Sequence, residues 1–372
     1  MTLKEGFNPQ KNSLDFLRFF LAFAVIVGHG FWLSGFKSDP LYAFTNGQIT
    51  IGPLAVAGFF LLSGFLITRS RQRITSFWQF LWQRCRRILP GFWVCLLVTV
   101  VLFAPIMYYL ANKTFAGYWE QTPFGPIDYL KSNFFLKINQ DRIGELFKDF
   151  PLFPYMVNGS LWTLYDEFKC YLIIGALGIF GVTRNRRWVV LLLTIVLVSV
   201  YVIEALTNGF LRSHLPFFLE QFFLEHLVYF MIGSSAYLYA EKIPMRRSIF
   251  IVSIILFVLG SLLGQFLVVG VFANSYILFW LMINLPITKW AKYGDFSYGM
   301  YLYAFPIQRI LGQLGLSSLG LGVVIYILVA ALITAVFAVL SYYLVESRFF
   351  KRGGSQKEPA RQTPVPVGTP AQ

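Results

Sequence analysis

The apolar run from Leu14 to Leu33 carries an arginine, Arg18, and a histidine, His29, 11 residues apart. At about 100° per residue that spacing makes three turns plus about 20°, so on one helix both side chains share a face, about 16 Å apart along the axis. A neutral imidazole, with a reference pKa of about 6.5, can act as a general base near pH 7. A guanidinium can bind phosphate or carboxylate and can stabilise a developing oxyanion. An arginine near the centre of a membrane helix costs about 2.5–3.5 kcal/mol, and each Leu, Ile, Val or Phe of the run returns about 0.3–0.6 kcal/mol, so the run is expected to insert. A tolerated penalty of this kind marks a buried polar site more often than a lipid-facing surface. The blander alternative is that Arg18 snorkels to one surface and His29 bonds a neighbouring helix. Asp15, one turn from Arg18, is a candidate partner for it.

Further ionisable residues stand in recognisable spacings. Arg84 and Arg87, in Gln83-Arg84-Cys85-Arg86-Arg87, share a helix face and form either a positive anchor or a clamp for an anionic ligand such as the phosphates of a nucleotide-like cofactor. Ser63 and Gly64, in Phe59-Phe60-Leu61-Leu62-Ser63-Gly64-Phe65, are small residues suited to close helix packing. Glu167 follows Ser160-Leu161-Trp162-Thr163 and is expected near the outer end of its span, as a second acid/base, an acceptor-binding group or a partner for an arginine. Glu204, Glu220, Glu225 and His226 read individually as structural polar contacts, and Gln308 with Arg309 could line an acceptor path.

These residues need a membrane scaffold. Of 372 residues 57% are hydrophobic and only 13% charged, with 40 phenylalanines, which excludes an ordinary water-soluble domain. We expect an all-α, polytopic integral membrane protein of about ten transmembrane helices, covering roughly 14–33, 49–68, 88–110, 161–181, 188–206, 219–240, 248–266, 270–288, 296–312 and 321–345. Basic residues follow every even-numbered span: Arg69, Arg71, Arg73, Arg84, Arg86 and Arg87; Arg184, Arg186 and Arg187; Lys242, Arg246 and Arg247; Lys289 and Lys292; Arg348, Lys351 and Arg352. That bias places those loops and both termini in the cytoplasm, and it accounts for the net charge of +14 without nucleic acid.

Residues 1–350 read as one membrane domain, with a long extracytoplasmic segment at 111–160 that is expected to fold over the outer face. The stretch from Gly353 to Gln372, rich in Pro, Gly, Gln and Thr, is expected to be a disordered cytoplasmic tail. Arg18 breaks the first apolar run and no small-residue cleavage pattern follows, so that run is not a cleavable signal peptide. Cys85, Cys95 and Cys170 have no metal or disulfide spacing, and no metal is expected.

Taken in order, these motifs resemble the membrane acyltransferase type 3 family, which includes polysaccharide and nodulation-factor O-acetyltransferases. The family's arginine, ten residues, then histidine matches Arg18 and His29; Phe-Phe-x-x-Ser-Gly matches Phe59 to Gly64; Arg-x-x-Arg matches Arg84 and Arg87. Trp-Ser/Thr-Leu-x-x-Glu with a following tyrosine matches Trp162, Thr163, Leu164, Glu167 and Tyr171. Ser-Tyr-x-x-Tyr-Leu matches Ser297, Tyr298, Tyr301 and Leu302 ahead of Pro306, and Val-Glu matches Val345 and Glu346. The likeness covers about residues 12–350. Many relatives carry a histidine between the positions of Leu302 and Pro306, where this chain has Ala304, which leaves His29 as the main catalytic candidate.

The resemblance implies an acyltransferase of the bacterial inner membrane, transferring acetyl from acetyl-CoA to a hydroxyl of a surface or secreted polysaccharide or its lipid-linked precursor. It implies His29, Arg18 and Glu167 as catalytic residues and Arg18, Arg84, Arg87 and Ser63 as donor-binding residues. Partners would be the glycan acceptor, the acyl-CoA, the bilayer and glycan-assembly proteins. With no fused esterase-like domain expected after the last span, transfer would be completed in the membrane domain or with a separate partner. The competing reading is a transporter or flippase for a glycan precursor or acyl group, with Arg18, His29 and Glu167 along its path. A scaffold in a glycan-assembly complex fits less well, because the polar groups fall inside the spans.

Overall fold

The structure, a computed structural model, describes residues 1–35, 39–150, 152–214, 221–316 and 322–351. The expected tail from Gly353 and Glu220 lie outside the described residues. Among the described residues the chain is all-helical, without named strands.

The long helices are α1 (Leu14–Leu33), α2 (Ile51–Arg73), α3 (Phe77–Val98), α4 (Thr163–Ile179), α5 (Arg187–Leu206), α6 (Gln221–Leu238), α7 (Arg247–Leu262), α8 (Phe266–Asn284), α9 (Ser297–Gln313) and α10 (Gly322–Ser341). Each falls on one of the ten apolar runs expected from the sequence. Helix α3 continues through a π turn at Thr99–Phe103 to Asn112, and α10 through a π turn at Tyr342–Glu346 to Lys351. Among the described residues six helices are long and apolar enough to cross a membrane: Leu14–Leu33, Ile51–Arg73, Phe77–Asn112, Arg187–Leu206, Phe266–Asn284 and Gly322–Phe349. This is a multi-pass membrane protein.

Its surface is inverted relative to a soluble bundle. On α5, Leu191, Leu192, Ile195 and Val196 are exposed, whereas Thr194 is buried and donates to the Val190 carbonyl at 2.8 Å. With hydrocarbon as solvent, apolar side chains gain little by turning inward, so packing and interhelical polar contacts decide which face is buried. Helices α2 and α6 show this most directly. A Cβ on Gly64 would lie 1.9 Å from the Phe230 carbonyl oxygen, and one on Gly233 2.0 Å from that of Leu61, so the two backbones are in mutual contact. Likewise α1 meets α2 where Gly28 abuts Gly52. Helix α9 packs between α1 and α10.

The segment between α3 and α4 contains a short helix, Pro126–Asn133, and then turns into the bundle. Val157, Asn158, Ser160 and Leu161 are buried although none is helical, and the Asn158 amide donates to the Leu302 carbonyl of α9 at 3.0 Å. Helix α4 therefore starts inside the protein.

Candidate active site

Five of the six site residues expected from the sequence converge on one cavity of about 590 Å³, lined by Arg18 of α1, Ser63 of α2, Arg84 and Arg87 of α3, and Glu167 of α4, with Tyr171 and Asp295. The basic stretch reaches it because α3 starts earlier than the apolar run. Ser76 caps the helix by accepting from the Gln79 N–H at 3.3 Å, so Arg84 and Arg87 stand on helical turns and not in a loop. Arg84 packs its guanidinium over the Phe80 ring, 5.7 Å from the centroid, and its buried Nε has no hydrogen-bond partner. A buried donor of this kind demands an acceptor, and a ligand phosphate would supply one.

The residue that organises this cavity is one sequence reasoning missed. Asp295, on the link into α9, forms ion pairs through Oδ2 with Arg18 and, at 2.7 Å, with Arg87; its Oδ1 accepts from Ser297 at 2.5 Å. Burial alone would raise its pKa, but the Coulombic pull of Arg18 and Arg87, with the Ser297 hydrogen bond, holds the carboxyl well below the usual range. The expected partner, Asp15, lines the same cavity, but the carboxylate that bonds Arg18 is that of Asp295. The one available signal was an acidic residue just ahead of Ser297-Tyr298. With Arg69, Arg84 and Arg86 also in the lining, five guanidiniums face the carboxylates of Asp15, Glu167 and Asp295, which leaves net positive charge suited to a polyanion.

Glu167 accepts hydrogen bonds from Ser63 at 3.1 Å and from the Tyr171 hydroxyl. The sequence places it at the outer end of its span. In the structure it shares the arginine cavity, because the chain re-enters the bundle before α4 begins and Glu167 lies only one turn into that helix.

His29 does not line this cavity. Its ring meets Phe305 edge-on at 5.2 Å, about three turns above Arg18. A narrow slot of about 60 Å³ leads in that direction, lined by Arg18, Phe59, Glu167, Val56, Thr163 and Tyr301 among others. It shares Arg18, Phe59 and Glu167 with the wide cavity. Tyr301 is one turn before Phe305, and Val56 one turn after Gly52, which abuts Gly28. Neither His29 nor Phe305 lines the slot.

Around His29 the polar groups are incompletely satisfied. His29 Nδ1, Gln308 Oε1 and Arg309 Nη1 are all buried without hydrogen-bond partners. Gln308 donates to the Ile26 carbonyl at 2.9 Å, next to the His29 turn. Arg309 donates to the carbonyls of Phe153 and, at 3.1 Å, Met156, and its guanidinium lies 4.4 and 4.5 Å from the ring centroids of Phe147 and Phe150. Arg309 therefore fixes the 111–160 segment over this end of the bundle.

His226, expected as a structural polar contact, is one. Its Nδ1 is 2.8 Å from Asp166, which pairs with Lys169 at 2.7 Å, and its ring stacks on Phe60 at 4.2 Å. This triad, with Asp166 and His226 buried and Lys169 partly exposed, joins α4 to α6 behind the slot. Glu346 is buried and accepts from Ser341 at 2.9 Å. The three cysteines are free thiols, Cys95 and Cys170 buried.

A protein-family profile described as "Acyltransferase domain" matches residues 11–345. The chain is 29% identical over 353 residues to the O-acetyl transferase of Shigella phage Sf6, covering 92% of this chain and 97% of that one. It is 26% identical over 334 residues to the exopolysaccharide production protein ExoZ of Rhizobium meliloti (strain 1021), covering 84% and 94% of the two chains. It is 29% identical over 194 residues to nodulation protein 10 of Rhizobium leguminosarum bv. viciae, covering 50% and 47%. No solved structure matches it. A helical membrane bundle whose ordered motifs close around one cationic cavity, matched by that profile over nearly its whole length, belongs to this acyltransferase family.

Proposed function

We propose that this protein is an O-acetyltransferase of the bacterial inner membrane that moves acetyl from acetyl-CoA to a hydroxyl of a surface or secreted polysaccharide, or of its lipid-linked precursor. In this reading all ten long helices cross the bilayer, both termini and the basic loops are cytoplasmic, residues 1–350 form one membrane domain, and the 111–160 segment is on the outer side.

The observation that supports the reading is a wide cationic cavity that shares Arg18, Phe59 and Glu167 with a narrow slot walled by Tyr301, one turn before the Phe305 ring that meets His29. A donor with a polyanionic head and a thin acyl-bearing arm matches that change of width. Arg84, Arg87 and Arg18 would hold the phosphates. Ser63 lines the same wall and keeps Glu167 oriented. The arm would run past Tyr301 towards the imidazole.

At His29 the acceptor hydroxyl attacks the thioester carbonyl. The imidazole takes the hydroxyl proton, the C–S bond breaks as the new C–O bond forms, and the proton passes to the departing thiolate. In the covalent variant His29 first takes the acetyl group and then yields it to the hydroxyl. Glu167, beside the slot, would orient the reacting groups and Arg18 would position the donor.

The test uses purified full-length protein with acetyl-labelled acetyl-CoA and the producing cell's polysaccharide. Label appearing in glycan ester is the expected result, and label trapped on the protein identifies the covalent variant. Vectorial movement of glycan precursor or acyl group with no ester formed would replace this reading with transport.

A further inference from the structure

A second polar cleft, of about 330 Å³, opens at the His29 end of the bundle between the first turns of α2 and α6 and the last turn of α5. Two carboxylates face it, Glu204 and Glu225. Glu225 Oε1 is buried and has no hydrogen-bond partner. Glu204 Oε1 has no hydrogen-bond partner, but the carboxylate is ion-paired with Arg212 at 3.6 Å and its Oε2 accepts from the Arg212 backbone N–H at 3.2 Å. Tyr42 and Tyr201 form part of the wall, and Asn208 with Arg212 supplies side-chain donors.

The cleft adjoins the His29 end. Tyr42 packs T-shaped, at 6.4 Å, on Trp32, one turn beyond His29 on α1. Thr50 and Pro53 line it and flank Gly52, the residue on which Gly28 rests. Its wall therefore adjoins the turn of α2 that packs on the His29 turn of α1.

Its chemistry narrows the ligand. Among the described residues no group of three His, Cys, Asp or Glu side chains could hold a metal ion, and a guanidinium already stands in this wall. A lipid chain suits instead the groove of about 650 Å³ walled by Phe20, Leu54, Phe257 and their apolar neighbours. Buried acceptors that lack donors, a few donors, and aromatic rings in one concavity match a polyhydroxyl compound.

We propose that this cleft is a docking subsite for a neutral sugar residue of the acceptor, with Glu225 accepting from ring hydroxyls and Tyr42 covering an apolar sugar face. This rests on the reading that a glycan hydroxyl reacts at His29. A glycan anchored here by one residue would present a neighbouring residue's hydroxyl to the imidazole.

The experiment is saturation-transfer NMR on the full-length protein in nanodiscs, titrated with the methyl glycosides of glucose, galactose and mannose. Saturable binding of at least one glycoside is expected, weakened at least fivefold in Glu225→Ala and in Tyr42→Ala. Tyr42 is half-exposed, so its variant carries the test if loss of Glu225 impairs folding. Lack of saturable binding by all three glycosides, or unchanged binding in Tyr42→Ala, overturns the proposal. The wild-type preparation is assayed separately with labelled acetyl-CoA. Sugar binding without donor consumption rejects acyl transfer and leaves the cleft standing; donor consumption without sugar binding does the reverse.

Discussion

Arg18 and Asp295, 277 residues apart in the chain, form an ion pair at the wall of the cationic cavity, and Arg87 shares the same carboxylate oxygen. The link before α9 thereby fixes the position of two arginines that belong to α1 and α3.

Asp295→Asn should therefore destabilise the protein by about 3 kcal/mol, because it leaves two partly buried guanidiniums without their counter-charge. Arg87 is about a third exposed, which keeps the cost at the lower end of the range for buried pairs. A lower thermal midpoint of the detergent-solubilised variant checks this; an unchanged midpoint would show the pair to be energetically idle. The pH dependence has a definite sign. A carboxyl held below its unfolded value contributes stability that is complete above about pH 3.9 and is lost as pH falls towards the folded value. Wild type should lose stability below about pH 4 by this route, and Asp295→Asn should not show that component.

His29→Ala should lower glycan acetylation by about 10²–10⁴-fold if the imidazole is a general base. Membrane accumulation should be unchanged, since the ring's ordinary contact is an edge-on packing against Phe305. Quantitative immunoblotting of membranes beside ester analysis of the polysaccharide separates the two effects. Near-normal acetylation at normal protein level would remove His29 from the mechanism.

Arg84→Ala should raise the KM for acetyl-CoA about tenfold or more, the scale of one charge-assisted hydrogen bond, with a smaller fall in kcat. Arg84 Nε has no protein partner, so the loss should register on the donor more than on the fold. Lysine, a point charge without the planar fork, should restore only part of the affinity. A KM unchanged in Arg84→Ala would place the donor elsewhere.

Glu167→Gln and Ser63→Ala should differ in size. The serine removes one neutral-to-charged hydrogen bond, about 1.5–3 kcal/mol at most, while Tyr171 still holds the carboxylate. We expect a fall of about tenfold for Ser63→Ala and at least a hundredfold for Glu167→Gln, read as kcat/KM for the acceptor. Equal effects would mean that Glu167 acts only by anchoring Ser63.

Gly64→Ala should cut the amount of folded protein severalfold. The new methyl would overlap the Phe230 carbonyl, a backbone atom that cannot swing aside, and overpacking of this sort costs at least about 1–3 kcal/mol. Size-exclusion yield after solubilisation measures it. A normal yield would show that α2 and α6 can part without penalty.

The residues that need only composition or local spacing were legible from the chain itself. Long apolar runs dictate helices and a membrane setting, because hydrocarbon offers no partner for backbone polar groups. The i, i+3 spacing of Arg84 and Arg87 puts both on one face, and the 11-residue step does the same for Arg18 and His29. What those groups face was not legible. Asp295 joins Arg18 across 277 positions, and no local rule connects them. The inward turn at Asn158 carries Glu167 from its expected outer position to the arginines, because buried amide contacts, not hydropathy, decide where α4 begins. Only the packing of α1, α2, α4 and α9 keeps His29 out of the wide cavity and leaves a narrow slot beside Arg18, Phe59 and Glu167. Periodicity assigns a face to each helix, but the distance between faces is set by which side chains interdigitate, and that is a property of the assembled bundle.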